Sequence, residues 1–271
     1  MKPNRAASFP RRAASRGVTL VELMVAITIG LLLVVVIAQL FLGSRQTFAT
    51  SDDVSRMQDN IRFSQQLLTR TIHLAGYKSQ ANSVTSNVFA SAPPLDAPLP
   101  LPTGTTSDAI NIRFQGSGTK TSAANCQNAP PCTGADGTIV DCLGVRIDAG
   151  IIAVNTFTIG VGASGRNALF CNGVEIVPNV VNMQILYGED LNGDLVADRY
   201  VGPEVTAGNT GNVVSVRVAL LFETPTESSK TVPDASTYDM FGDTSVVLGP
   251  FNDRRIRRVV ATTVNLRNRT P

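Results

Sequence analysis

The chain has 271 residues, with 23 basic side chains, 21 acidic ones and a single histidine, His73. One imidazole excludes a multi-histidine zinc centre, and a Ser-His-Asp or Cys-His catalytic unit would have to rest on that one ring. A formal charge of +2 is too small to mark a nucleic-acid binder by itself. Charged residues make up 16% of the chain, below the quarter usual for a soluble domain.

The charge is unevenly placed. The first 17 residues hold Lys2, Arg5, Arg11, Arg12 and Arg16 and no acid; the remainder carries 18 basic against 21 acidic side chains. A basic leader therefore precedes a mildly acidic protein. From Val18 to Leu42 run 25 residues with one charge, Glu22. About 20 apolar residues span a bilayer as a helix, the one single-segment shape that satisfies its own backbone in lipid. The basic leader stays in the cytoplasm, which sends everything after Leu42 across the membrane. A secretory signal peptide fits less well. Its apolar core should run about 7–15 residues and end in a small-residue cut site, whereas GSRQTF follows Leu42. A plain signal anchor fits length and flanks but leaves Glu22 unexplained, because a carboxylate in lipid is costly unless paired. A cut between Gly17 and Val18 would create an ammonium one helical turn from Glu22. The acid would then lie in the first turn, where the helix dipole favours it. Alternatively, Glu22 of one subunit meets the ammonium of its neighbour, which fixes the axial register of the packed helices.

Arg16-Gly17-Val18-Thr19-Leu20-Val21-Glu22-Leu23 resembles the prepilin cleavage and methylation motif of type IV pilins and type II secretion pseudopilins. The resemblance implies cleavage after Gly17 by a prepilin peptidase, methylation of the Val18 amine, and assembly into a filament whose core is the apolar helix.

Beyond Leu42 the helix is expected to continue. Val54, Met57, Ile61, Leu68, Ile72 and Ala75 recur on one helical face. Arg45, Arg56, Arg62 and Arg70, with Asp52, Asp53 and Asp59, form a solvated opposite side, and Gly76 is a plausible C′ residue. Val18 to Ala75 is 58 residues, roughly 87 Å of helix at about 1.5 Å per residue. His73 reads as a boundary residue of this helix.

Prolines at 93, 94, 98, 100 and 102 forbid a helix in the stretch from Ser79 to about Ser107, which reads as a long loop. Strand-like runs follow: Ile110–Phe114, Thr138–Ile147, Ile151–Val161, Val180–Tyr187, Val213–Phe222 and Arg257–Leu266. The fold class is therefore α+β, a long N-terminal helix packed on a mostly antiparallel β head. The chain divides into a leader (1–17), a membrane or filament-core helix (18–42), an amphipathic continuation (43–76) and a head (77–271).

All four cysteines follow the membrane run and should meet an oxidising compartment. Four allow three pairings. The preferred set is Cys126–Cys132, closing a small loop, with Cys142–Cys171, tying two strand regions. A zinc site is the rival, but the spacings lack paired C-x2-C knuckles.

In Asp190-Leu191-Asn192-Gly193-Asp194-Leu195-Val196-Ala197-Asp198, oxygen-bearing side chains fall at positions 1, 3, 5 and 9, and the Val196 carbonyl stands at position 7. Hard Ca²⁺ prefers such oxygens, yet Leu195 occupies the usual glycine position and no glutamate stands at position 12. Calcium and a β-hairpin turn built on Asn192-Gly193 both remain open. Arg254, Arg255, Arg257, Arg258, Arg267 and Arg269 cluster near the C-terminus. They could contact phosphates, but arginine on a solvated strand face, discouraging edge aggregation, is the better reading because no aromatic interleaves with them after Phe251.

The stretch from Phe48 to Leu74-Ala75-Gly76-Tyr77 resembles the stalk of PilW-type minor pilins. So do Asp141-Cys142-Leu143-Gly144, Leu169-Phe170-Cys171-Asn172-Gly173, the run Met183 to Tyr200, and Thr262-Thr263-Val264-Asn265-Leu266-Arg267-Asn268-Arg269. The resemblance implies a type IV pilin-like fold and a low-abundance subunit that initiates pilus assembly at the filament tip. Its partners would be other minor pilins, the major pilin and a tip adhesin. It would sit in the inner membrane as a single-pass precursor with its head in the periplasm, then move to the pilus. The alternatives are a pseudopilin of a type II secretion system, which shares every feature through Ala75, and a DNA-uptake component using the terminal arginines. Nucleic acid is not the expected partner. No enzyme is expected, since the motifs assemble no nucleophile–base pair.

Overall fold

A computed structural model describes residues 17–78, 95–96, 107–117, 137–148, 151–203, 210–227, 230–242 and 246–268. The leader arginines through Arg16, most of the proline-rich stretch, Cys126, Cys132 and Arg269 lie outside the described residues. The chain divides into two compact units, Met1–Ala49 and Thr50–Pro271.

Helix α1 spans Leu20–His73. Thr19 caps it: its Oγ1 accepts the Glu22 N–H (3.2 Å) and its carbonyl accepts the Leu23 N–H (3.1 Å). A threonine oxygen there satisfies one of the four orphan donors of the first turn. Within the first unit every described residue up to Phe48 is exposed, including Leu31, Ile37 and Leu42.

In the second unit α1 buries Asp53, Met57, Ile61, Ser64, Leu68, Thr71 and Ile72. This is the predicted face, with two additions and one correction. Ser64 and Thr71 can enter the interior because each hydroxyl donates to the carbonyl one turn back, Asn60 (2.6 Å) and Leu67 (2.7 Å). Asp53, placed on the solvated side from sequence, is buried because it begins the i, i+4 row that continues through Met57 and Ile61. Arg56, Arg62 and Arg70 are exposed. Gly76 follows at φ +73°, a left-handed conformation that costs glycine little, and its N–H donates to the Arg113 carbonyl (2.9 Å).

The head contains β1 (Leu95–Asp96), β2 (Ile110–Gln115), β3 (Ile152–Val161), β4 (Asn167–Cys171), β5 (Val174–Pro178), β6 (Val180–Glu189), β7 (Arg199–Val201), β8 (Val213–Glu223), β9 (Tyr238–Asp239), β10 (Val247–Leu248) and β11 (Arg257–Asn265). All pairings between these strands are antiparallel. They form a five-stranded meander β1-β2-β3-β4-β5, a four-stranded sheet β11-β8-β6-β7 and the small β10-β9 pair. The open edge of β6 is satisfied by the chain before β2. The Met183 N–H donates to Ser107 Oγ (3.0 Å), and the Ile185 N–H donates to Asp108 Oδ2 (2.8 Å).

The segment Thr138–Ile147, expected as a strand, is not one. Asp141 Oδ1 accepts both the Leu143 and Val145 N–H groups (2.8 Å each), and Gly144 turns at φ +81°. This Asx turn leaves only the bridge Val140–Arg146.

The main core lies where α1 meets both large sheets, through residues such as Met57, Leu68, Ile72, Phe157, Leu169, Val216 and Leu220. A second cluster, Ala219, Leu221, Met240 and Phe241, fills the other face of the four-stranded sheet beneath β9 and β10. Strand β8 is thus covered on both faces, which is why it reads as a near-continuous apolar run, VVSVRVALLFE.

Candidate functional site

Three regions carry the residues singled out from sequence. The first is the helix start. Gly17, Val18 and Glu22 are exposed, with Val18 at 69%. Helical geometry begins only at Leu20, so Val18 precedes the cap. Glu22 is the one acid in the first turn. Among the described residues α1 is the one helix long and apolar enough to cross a membrane.

The second is the loop from Asp190 to Asp198, which joins β6 to β7. It is wider than a two-residue hairpin, and its acids accept from their own backbone, although Asp194 and Asp198 are exposed. Asp190 is 4% exposed. Its Oδ1 accepts the N–H groups of Asn192 (3.1 Å) and Gly193 (2.6 Å), and its Oδ2 accepts that of Leu195 (2.9 Å). Asp198 Oδ2 accepts the Leu191 N–H (2.7 Å), and Asp194 Oδ1 accepts that of Val196 (2.8 Å). Asn192 Nδ2 donates to Asp194 Oδ2 and Asp198 Oδ1. Leu195 sits at φ +65°. The loop folds back on β6 so closely that a Cβ at Gly188 would lie 2.8 Å from the Ala197 Cβ; the same Cβ would lie 2.1 Å from Ser215 Oγ of the paired β8. Among the described residues no group of three or more His, Cys, Asp or Glu side chains could hold a metal ion.

The third is the arginine cluster. Its members do not share the solvated face expected for them. Arg254, Arg258 and Arg267 are exposed, but Arg255 and Arg257 are buried. Arg257 donates to Asp253 Oδ1 (2.6 Å) and Oδ2 (2.5 Å) and to Glu223 Oε2 (2.8 Å). Its guanidinium lies 3.9 Å from the Phe251 ring centroid. Glu223 also receives Arg166 through Nε (2.9 Å) and Nη2. Asp234, 3.6 Å from Arg257, receives Lys230 Nζ (2.8 Å) and the Tyr238 hydroxyl. Arg255 Nη1 donates to the carbonyls of Thr224 (2.7 Å) and Pro225.

This network sets the local protonation. The Arg257 hydrogen bond leads in holding the Asp253 carboxyl below its usual range. Burial pushes the Asp234 carboxyl up, but hydrogen bonds from Lys230, Tyr238 and Ser236 override it and bring it down to about 2. Burial, then the bond to Asp234, pushes the Tyr238 phenol up. His73 ends α1; burial and then the charge of Arg267 lower its pKa, favouring the neutral ring, while its carbonyl accepts Asn268 Nδ2 (2.8 Å). Sequence reasoning missed the network. The signal lay in Glu223 and Arg257, charges at the ends of the apolar runs of β8 and β11.

Cys142 and Cys171 form a disulfide, with Cα atoms 6.4 Å apart and a sequence separation of 29. Cys171 ends β4 and is fully buried. The bond staples the Asx-turn segment to the meander. Loop-closure entropy predicts a loss of about 3–4 kcal/mol for the double replacement Cys142→Ser/Cys171→Ser. Denaturant unfolding of the oxidised and mutant proteins measures it.

Compared with known proteins, residues 156–268 match the family described as Type IV Pilus-assembly protein W (PilW), and residues 12–38 match the prokaryotic N-terminal methylation motif. No curated protein matches the chain. A solved structure, the type IV-like pilin TTHA1219 from Thermus thermophilus, is similar at 16% identity and TM-score 0.42, over 80% of this chain and 100% of that one.

Proposed function

We propose, for a chain that matches the PilW family of type IV minor pilins, that it is a processed, non-enzymatic filament subunit that helps to start pilus assembly at the tip. The observation that carries this reading is the helix start. A glycine-bounded junction, Gly17-Val18, places Val18 four residues before the helix's first-turn acid, Glu22, and an exposed apolar helix follows. The basic leader orients the precursor in the inner membrane with the head in the periplasm. Prepilin peptidase cuts after Gly17, and the Val18 amine is methylated. Because Val18 stands outside the capped turn, its ammonium ends the rod, where Glu22 of a neighbouring subunit can meet it. The head then offers its surfaces to other minor pilins, the major pilin and a tip adhesin.

Intact mass and N-terminal sequencing of the mature protein test the reading. A chain starting at methyl-valine is expected, whereas an intact leader or a cut after Leu42 overturns it. Loss of surface pili on deletion, with protein export intact, separates this function from that of a secretion pseudopilin.

The Asp190–Asp198 loop is proposed to be a self-satisfied turn that needs no calcium, because its carboxylates already accept backbone N–H groups. Millimolar Ca²⁺ or EDTA should leave the melting temperature of the full chain unchanged. Asp190→Ala should cost about 2–3 kcal/mol, since it strands backbone donors beside a buried site. Asp194→Ala, at an exposed position with one such bond, should cost less than half as much.

A further inference from the structure

Among the described residues, the four-stranded sheet has an open side at β11. Strand β11 pairs with β8 over nine residues, from Arg257↔Glu223 to Asn265↔Ser215, without a register shift. No described residue pairs with its far edge. The other sheet edges are blunted: β1 has two residues, β7 three, and β5 has five and ends in Pro178. Short or proline-ended edges resist pairing with other chains, whereas a long, regular, unbulged one invites it.

The hydrogen-bond pattern shows which groups are offered. At the two ends of the ladder, the Thr224 N–H donates to the Ile256 carbonyl (2.9 Å) and the Leu266 N–H donates to the Val214 carbonyl (2.8 Å). In an antiparallel pair such residues alternate, so the even-numbered residues between them face β8. Val259, Ala261 and Thr263 therefore turn their N–H and C=O groups outward. Ala261 and Thr263 are exposed.

Charge selects the occupant. Residues 254–268 contain no acid. The exposed arginines stand at both ends of the edge, Arg254 and Arg258 at one and Arg267 at the other. A second copy pairing antiparallel about Ala261 would bring Arg267 opposite residue 255 and set like charges together. An extended segment with acids at both ends would meet opposite charges at both.

We infer that the free edge of β11 is a β-augmentation site for an extended, acid-flanked segment of another protein. Backbone hydrogen bonds to Val259, Ala261 and Thr263 supply the pairing. Arg254, Arg258 and Arg267 supply the orientation and the preference for acidic flanks. The inference goes beyond the pilin reading and does not depend on it.

The test uses the full chain in detergent and hydrogen–deuterium exchange across residues 257–265. The probe is a nine-residue peptide of alternating threonine and valine with an acid at each end, and the control has lysine at each end. The acidic probe should slow exchange at Val259, Ala261 and Thr263 at least tenfold, and the lysine control should not. Ala261→Pro removes one outward donor without touching the β8 ladder and should abolish the protection. The triple variant R254E/R258E/R267E changes only exposed side chains and should reverse the peptide preference; it decides the matter if the proline variant fails to fold. No slowing with the acidic probe overturns the inference. So does equal slowing by the lysine control or by duplex DNA. Protection without any peptide also overturns it: concentration-dependent protection would mean a second copy, and concentration-independent protection a segment of the chain itself.

Discussion

Arg257→Ala is expected to destabilise the head by about 3–5 kcal/mol, a large share of the roughly 5–15 kcal/mol that holds a domain folded. The side chain is 1% exposed and serves Glu223 and Asp253 with near-ideal hydrogen bonds, with Asp234 close by. Its removal leaves Glu223, itself 2% exposed, with Arg166 alone. The penalty is mainly that of buried carboxylates losing their cation rather than the net worth of the ion pair. Arg257→Lys should recover less than half, because a point charge cannot serve Asp253 and Glu223 together as the guanidinium fork does and does not stack on Phe251. Urea unfolding of the full chain in detergent measures both. The pH dependence carries a second signature. The folded-state pKa of Asp253 is depressed below the value near 3.8, so its contribution is present above that pH and is lost as pH falls through the folded value. Without Arg257 the leading cause of that depression is gone. The gap between wild type and Arg257→Ala should therefore narrow as pH falls from about 5 toward about 2. A gap that stays constant with pH would mean that the lost stability is packing alone.

The sequence makes the long helix legible because two different signals mark it: an apolar run to Leu42 with one charge, Glu22, and then a one-sided periodic stripe from Val54 to Ala75. Strands β2, β3, β6, β8 and β11 are legible because each is rich in β-branched or aromatic residues, with Gly, Asn or Pro at or near at least one end. The β4–β5 hairpin is not among the expected strands, although its turn signal is present. Asn172 and Gly173 both take positive φ, at 50° and 79°, as a two-residue turn requires. Asn167–Cys171 is short and mixes polar with apolar residues, so its strand character comes from pairing with β3 rather than from its own pattern. Thr138–Ile147 differs in the opposite sense: its apolar residues suggest a strand, and Asp141 with Gly144 imposes a turn. The arginine cluster is visible in the sequence, but the burial of Arg255 and Arg257 is not. One-dimensional charge counting cannot tell that Arg257 turns inward beneath Phe251 while Arg258 turns out. The acidic loop is legible from its spacing, yet spacing alone does not say whether carboxylates gather around an ion or around their own backbone amides.

Glu22→Ala is expected to lower incorporation into filaments at least tenfold while leaving the cut after Gly17 intact. The carboxylate lies in a helical segment, Leu20 to Ile27, whose other residues are all apolar and exposed, so in lipid or in a filament core its surroundings are mainly hydrocarbon. A charge there is tolerable when paired and costly when alone. In the assembled state the α-ammonium of a neighbour would lose its only counter-charge in the variant. Breaking one side of a desolvated pair costs about 3–5 kcal/mol, an effect of hundreds-fold or more in an assembly equilibrium, so tenfold is a conservative threshold. Glu22→Gln separates charge from shape. It keeps the size and a hydrogen-bonding amide, so it should fail nearly as badly as alanine if the charge sets the register and behave like wild type if only packing matters. The helix cap does not confound the comparison, because Thr19 receives the backbone N–H of residue 22, which every substitution there except proline retains. Mature and precursor forms are distinguished by mass, and incorporation is read from sheared filaments against the membrane fraction. Normal entry of Glu22→Ala into filaments would leave the acid without a role and remove the electrostatic basis for helix register.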